Sequence, residues 1–545
     1  MRWEPALEPE RRARWAVAGG FALLTVFFTG SFPPFANPNE LSRLETVYAI
    51  VEEGTFRIDG ALKVLGDHED KAEAGGHLYS NKAPGLAFAA VPVYRLLRVA
   101  LPAPVPSRAG PFFNLLRLLT VGLLCIAAVW RLACRLPGRA APLMAGAVAL
   151  GTPFLYYARS FLSHAWSAAL LFLAWDLLRR AQERLAHRRV GALVAWSGFL
   201  AGWALISEYT VAPIVVLLVL RAGARREYSR ILLCAAGAAV PVALLFWYQA
   251  VCFGSPLTPS YAKEAFPAYA QLAHRPLLGF GLPSPRVLFD YLFHPARGLL
   301  VFSPFLAWAG AGFVKWWRSR EDRADCLVAL AGTAAFLLLL SAYPNWHGGW
   351  SLGSRYLLPL IFFLALAAAR ALDSPASRGL FAAAAVFSIG NHAILSLTWP
   401  HFPANIPWPA ATASLWFLER GWVAQSLLDA GAPAARVVAV LVGMGVAVAG
   451  AALCLAAAGL PAPRRALAAA LGLAPLAVLL VRPPELTYGG RLWRAAVYVR
   501  FSGLDPSGEQ LRKVAATAST ASEKQRAEDA WRLFGPESRT PPSTR

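Results

Sequence analysis

HLYSNKAPGLAFAAVPVY, residues 77–94, opens with a lysine at a turn and then runs apolar until Arg95. Whether this stretch crosses a bilayer decides the topology of all that follows. The chain around it has 545 residues, 57% of them hydrophobic and only 15% charged. A soluble protein of that size needs far more polar surface. Long apolar runs recur without strand-like alternation. The expected class is therefore an all-α polytopic membrane protein.

Charge decides the crossing. The net charge is +21. In a soluble chain that points to nucleic acid. Here the arginines sit in short loops between apolar runs, as cytoplasmic loops require, so no nucleic-acid partner is expected. Arg2, Arg11, Arg12 and Arg14 precede the first run, 15–32, and place the N-terminus in the cytoplasm. Later basic groups include Arg131 with Arg135 and Arg139, Arg179 with Arg180, Arg221 with Arg225, Lys315 with Arg318, Arg370 with Arg378, and Arg464 with Arg465. If 77–94 spans the membrane, these groups fall outside. If it does not, they fall inside, and only Arg95, Arg98 and Arg108 are left outside. Length agrees: Ala83 to Tyr94 is 12 residues, whereas a span needs about 20 and runs of about 10 to 14 are more often interfacial. The segment is expected to lie along the outer face as a juxtamembrane helix.

The resulting map has about 13 transmembrane helices in a domain covering 1–481. The short run 209–221 is expected to pair with 191–207 as a helical hairpin. The outer stretches are 33–109, 253–297, 400–435 and a tail over 482–545, partly disordered with one or two small helices. No signal-peptide cleavage site is evident, and Cys125, Cys134, Cys234, Cys252, Cys326 and Cys454 read as packing residues.

The first outer loop is too long for a simple connector. It begins FANPNELSRLETVYAIVEEGTFRIDG, residues 35–60, with Glu40, Arg43 and Glu45 near the membrane surface. Asp67, Glu69, Asp70 and Glu73 follow, then YSNKAPG with Tyr79 and Lys82. A carboxylate at a bilayer surface is partly desolvated, which raises its pKa towards that of a useful base. Equally, Glu40 reads as an early-turn acid behind an Asn39 cap, and Lys82 as a lysine snorkelling to headgroups.

These elements resemble the GT-C superfamily of integral-membrane glycosyltransferases, in particular its protein mannosyltransferase and aminoarabinose transferase branches. The family's Asp-Glu pair followed by arginine stands here as Asn39-Glu40 with Arg43. Its Lys-Pro-Pro-Leu stands here as Lys82-Ala83-Pro84-Gly85. The resemblance implies transfer of a sugar from a polyprenyl-phosphate donor, by a single inverting displacement, to a lipid, glycan or protein acceptor. The expected setting is the periplasmic face of a bacterial inner membrane, with the C-terminal tail outside. It implies Glu40 as the base, Asn39 being unable to serve, and Lys82, Arg43 and Arg355 as holders of the donor phosphate.

Further candidates for substrate contact come from YPNWHGGWSLGSRYLLPL, residues 343–360, which combines Trp346, His347, Trp350, Arg355 and Tyr356 with turn glycines. Interfacial anchoring explains the same aromatics equally well. Glu208, at the end of a long apolar run, is a candidate by position. Arg159 and His164 occupy another outer turn, in YYARSFLSHAW. No Asp-x-Asp motif occurs in the first outer loop, and His274, Asp290 and His294 lack ligand spacing, so metal-independent chemistry is expected, with room for a loosely bound divalent cation. The rival reading is a transporter or lipid flippase, which calls for ionisable groups or broken helices near the bilayer midplane.

Overall fold

A computed structural model of the chain describes residues 8–28, 37–104, 109–183, 189–273, 275, 279–424 and 433–535. His274 and the terminal SRTPPSTR lie outside the described residues. The protein is an all-α, multi-pass membrane protein. Among the described residues seven helices are long and apolar enough to cross a bilayer, beginning with Gly110–Arg135 and ending with Ala462–Val481. Three shorter apolar helices accompany them, Ala140–Leu150, Tyr209–Ala222 and Arg355–Ala369. The expected map of about 13 spans places its further crossings on shorter or more charged helices, among them Glu8–Phe27 and Ser163–Glu183.

Two helices settle the parity around residues 77–94. The start of Glu8–Phe27 lies beside the end of Gly110–Arg135: Trp15 and Trp130 have ring centroids 4.2 Å apart, and Arg14 donates to the Leu136 carbonyl at 3.3 Å. The two helices run antiparallel, so the segment 37–104 leaves and returns at one end of the bundle. Within it Gly85–Ala100 is a 16-residue helix, shorter than the ~20 residues of a span. Trp203 donates to the Gly85 carbonyl at 2.9 Å, near the end of Val190–Ser207. A Cβ at Gly85 would come within 2.4 Å of Ser207 Oγ, so this close approach needs glycine. At its other end Arg98 and Tyr94 both bond Glu52, at 2.6 and 2.9 Å.

The opposite end of the bundle is tied by ion pairs. Asp176 meets Arg131 at 3.0 Å and Arg180 at 3.1 Å, and also pairs with Arg135. Asp325 meets Arg179 at 2.7 Å and Arg221 at 2.8 Å, while Asp322 meets Arg179 at 2.7 Å and Arg370 at 2.9 Å. Basic groups that are far apart in sequence therefore share one face, as the charge pattern predicts. The expected hairpin also forms, with Val190–Ser207 turning at Glu208 into Tyr209–Val211 and Ala212–Ala222.

The tail is more ordered than expected. Its described residues, 482–535, form three helices, Tyr488–Phe501, Glu509–Ala515 and Ala521–Phe534, instead of one or two. The last is started by a Thr520–Glu523 capping box. They share a small apolar cluster around Leu492, Ala496 and Leu511. The first also docks on the bundle, with Trp493 against Trp350 at 5.8 Å.

Asp325 and Arg221 have side chains only 1% and 2% exposed. Removing one partner of such a pair strands a buried charge, at about 3–5 kcal/mol. Asp325→Ala is expected to lower the thermal midpoint of the protein in nanodiscs well below that of a control at exposed Asp373. An equal midpoint for the two variants would refute the clasp.

Candidate active site

At the end of the bundle opposite these ion pairs, polar side chains gather between the first outer loop, the Ser163–Glu183 helix, the Glu208 turn and the 343–360 segment. The loop begins with an N-cap at Asn37, whose Oδ1 accepts from the Asn39 N–H at 2.9 Å, and with Pro38 at the first helical position. The cap is therefore Asn37 and not Asn39. The Pro38–Tyr48 helix buries Glu40, Arg43 and Glu45 together. These three diverge to different partners.

Glu40 turns to the Gly110–Arg135 helix. Its Oε2 accepts from Arg117 Nη2 at 2.8 Å and its Oε1 from the Phe161 N–H. Both oxygens are engaged. Arg43 turns to the Ser163–Glu183 helix: its Nη2 donates to Ser163 Oγ at 3.1 Å, and its Nη1 donates to the Asn39 carbonyl at 2.9 Å and to Asn39 Oδ1. Because Asn39 is neutral, Arg43 lacks a carboxylate partner among the described residues. Ser163 Oγ donates to Glu208 Oε2 at 2.9 Å, and His164 Nδ1 lies 3.2 Å from the same oxygen. Thr210 donates to Glu208 Oε1 at 3.0 Å. Burial opposes ionisation of Glu208, but nearby His164, the bond from Ser163 and the Arg43 charge prevail and hold its carboxyl at about 2.

The rest of the loop is a hairpin, Lys71–Ala74 against His77–Ser80, turned by Gly75 and Gly76 at φ of +59° and +76°. Consecutive left-handed residues match the twist of a tight hairpin. Its open end brings Asp70 next to Ser80 and Lys82. Lys82 Nζ lies 2.9 Å from Asp70 Oδ1, with both residues 8% exposed. Ser42 Oγ bonds the Asp70 carbonyl and Ser80 Oγ, both at 2.7 Å. Burial alone would raise the Asp70 carboxyl, but the Lys82 ammonium prevails and lowers it; burial also lowers Lys82, with Asp70 opposing that shift. Behind Asp70, His68 accepts the Asp70 N–H at 3.0 Å and lies 2.6 Å from Glu45.

The second outer loop closes over this hairpin. Residues 72 and 264 form a β-bridge, and the Ala265 N–H donates to the Lys71 carbonyl at 2.9 Å. Ser260 Oγ donates to the Asn81 carbonyl at 2.8 Å, and Asn81 Nδ2 lies 2.9 Å from both oxygens of Glu264. The Tyr261 ring lies 5.9 Å from Lys82 Nζ.

Arg355 enters from the 343–360 segment. Gly348, Gly349 and Gly353 all have φ near +60°, and the turn they make lays Arg355 over the Tyr356 ring at 5.3 Å. Tyr356 also meets His164 in a T-shaped contact, with ring centroids 5.3 Å apart. Among the described residues Arg355 has no carboxylate ion pair, and its Nε has no hydrogen-bond partner. Arg297, which the sequence reading missed, holds the turn. It is 1% exposed and donates to the carbonyls of His347 at 3.1 Å, Gly349 at 2.9 Å and Ser351 at 2.5 Å. An arginine in HPARGLL between apolar residues was the available signal.

The structure thus brings Arg43, Lys82, Arg355, Tyr356 and Glu208 together with Asp70, Ser163 and His164. It places other candidates elsewhere. Tyr79 packs with Ala72, Tyr248 and Cys252 in an apolar cluster. Trp346 lies against Tyr291 and His294, at 5.7 and 5.4 Å. Trp350 lies against the tail, and His347 accepts the Gly349 N–H at 3.1 Å. Among the described residues no group of three or more His, Cys, Asp or Glu side chains is arranged to hold a metal ion.

No family model and no curated protein matches the chain. Solved structures do. ArnT from Cupriavidus metallidurans in the apo state is 18% identical, with a TM-score of 0.47 over 95% of this chain and 82% of that one. The same ArnT bound to undecaprenyl phosphate gives 18% and 0.47, over 92% and 80%. The archaeal oligosaccharyltransferase AglB from Archaeoglobus fulgidus, in complex with an inhibitory peptide and a dolichol-phosphate, gives 13% and 0.38, over 92% and 59%. Both proteins are GT-C superfamily members.

The Gly348 turn is testable alone. A Cβ at Gly348 would sit 3.0 Å from Arg355 Nε and 3.2 Å from the Tyr356 ring, in a left-handed conformation. Gly348→Ala is expected to cost about 1–2 kcal/mol from the backbone conformation. Thermal unfolding should show that loss, whereas Gly445→Ala, where a Cβ meets nothing within 4 Å, should not.

Proposed function

We propose that the protein is a glycosyltransferase that takes a sugar from a polyprenyl-phosphate-linked donor. It passes the sugar to an acceptor at the outer, periplasmic face of a bacterial inner membrane. The N-terminus and basic loops then face the cytoplasm and the tail faces out. The observation that carries this reading is Arg355, a cation lodged beside two other cations, Arg43 and Lys82, with no carboxylate of its own among the described residues. Arg355 is partly buried, and its Nε is shut off from solvent without a partner, so the group is placed to take up an anion. A phosphate delivered from the bilayer edge supplies one, and guanidinium groups suit phosphate geometry.

The residues divide the work accordingly. Arg355 and Lys82 hold the phosphate as negative charge develops on it, which is electrostatic stabilisation of a departing group. Asp70 keeps Lys82 in place and charged. Tyr356 and His164 wall the space beside Arg355. The transporter reading is less well supported, because most acidic partners of the bundle's arginines (Asp176, Asp322 and Asp325) sit at the end opposite the site and Glu40, with Arg117, sits at the site end.

Charge-assisted hydrogen bonds contribute about 1.5–3 kcal/mol. Arg355→Ala is therefore expected to weaken undecaprenyl phosphate binding by roughly 10- to 100-fold, measured with the lipid in nanodiscs. Lys82→Ala should do the same and also slow transfer. Unchanged binding and full transfer in both variants would rule out this site.

A further inference from the structure

Sugar transfer needs a base for the acceptor's proton, and the carboxylates of this site are not equally free to act as one. Glu40 gives both oxygens to Arg117 and the Phe161 N–H. Asp70 is bound to Lys82. Glu208 accepts from Ser163 and Thr210 and lies beside His164, and a carboxyl held at about 2 is a weak base. Glu45 is fully buried behind Asp70, against His68. Glu264 differs from all four. Among the described residues it forms no ion pair; both its oxygens accept from the neutral Asn81 amide, and the Phe266 backbone N–H adds to that.

Its position is as favourable as its freedom. Asn81, which holds it, directly precedes Lys82. The β-bridge at residues 72 and 264 and the Ser260–Asn81 bond fix its loop against the hairpin that carries Asp70. We infer that Glu264, contributed by the second outer loop, is the general base of the transfer and takes the proton from an acceptor hydroxyl. This inference rests on the transferase reading. In the step, the acceptor oxygen forms a bond to the anomeric carbon of the sugar and its proton passes to the Glu264 carboxylate. The bond from that carbon to the phosphate oxygen breaks, and its electron pair leaves with the polyprenyl phosphate, held by Lys82 and Arg355. Nothing is oxidised or reduced, and no co-reactant is needed.

The electrostatics agree. Burial raises the Glu264 carboxyl to about 7, with the Asn81 bond and the Lys82 charge opposing the rise and Asp70 adding to it. The Tyr269 and Tyr343 hydroxyls feel its charge, and the Lys71 carbonyl accepts from the next residue, Ala265. On its own loop Tyr261 and Lys263 are neighbours in sequence. A base with a pKa near the working pH is the most effective kind. Because the group must be ionised to act, the rate should fall as pH drops through 7.

The test uses the full-length protein in nanodiscs with undecaprenyl-phosphate hexoses as donors and n-octyl glucoside as a hydroxyl acceptor, and follows release of undecaprenyl phosphate. Glu264→Gln keeps one acceptor oxygen for the Asn81 amide. It is expected to lower turnover by about 10²- to 10⁴-fold. Binding of undecaprenyl phosphate itself should change by less than about threefold, and the acidic limb of the kcat/KM profile, centred near 7 in the parent, should be lost. Glu264→Asp should recover part of the rate. If the parent turns over and Glu264→Gln keeps both its rate and its acidic limb, Glu264 is not the base. If Glu40→Gln removes the limb instead, the assignment also fails. If the parent releases no undecaprenyl phosphate from any donor, the transferase reading falls and Glu264 as base falls with it.

Discussion

The constraint on which this structure depends is the cost of leaving charge unpaired in a low-dielectric interior. The chain carries many arginines, and it sorts them to the two ends of the bundle. At one end they are neutralised. Asp176, Asp322 and Asp325 take up Arg131, Arg135, Arg179, Arg180, Arg221 and Arg370 across five separate segments. That clasp fixes which loops share a face, and so fixes the direction of every helix between them.

At the other end neutralisation is incomplete. Glu40 is spent on Arg117, Asp70 on Lys82 and Glu208 on His164 and Ser163. Arg43 receives only amide, carbonyl and hydroxyl oxygens. Arg355 receives an aromatic face. The contrast between the two ends is the physical basis of the functional reading. A purely structural cluster would close its charges, as the opposite end does.

The neutral residue at position 39 shapes this arrangement. An acid there would pair with Arg43 and compete for it with an incoming anion. Asn39 keeps Arg43 oriented without discharging it. The same change removes the carboxylate that the family resemblance would use as base. A second outer loop folded over the hairpin brings Glu264 to the vacated role, and its neutral Asn81 partner leaves it able to accept a proton.

Much of this was legible in the chain. Composition gave the membrane class, and charge parity put residues 77–94 at one end of the bundle, because unpaired arginines are expensive in hydrocarbon whatever the fold. Lys82, Arg43 and Arg355 were singled out through the family resemblance, and Tyr356 from its place in an outer loop. What the tertiary structure alone decided was pairing. Nothing in sequence spacing shows that Glu40 would be taken by Arg117, that Asp70 would meet Lys82, that Arg297 would hold the Arg355 turn, or that Glu264 would arrive beside Asn81. Those contacts join residues from different loops, and their electrostatic consequences depend on distance and burial, which a linear chain does not contain.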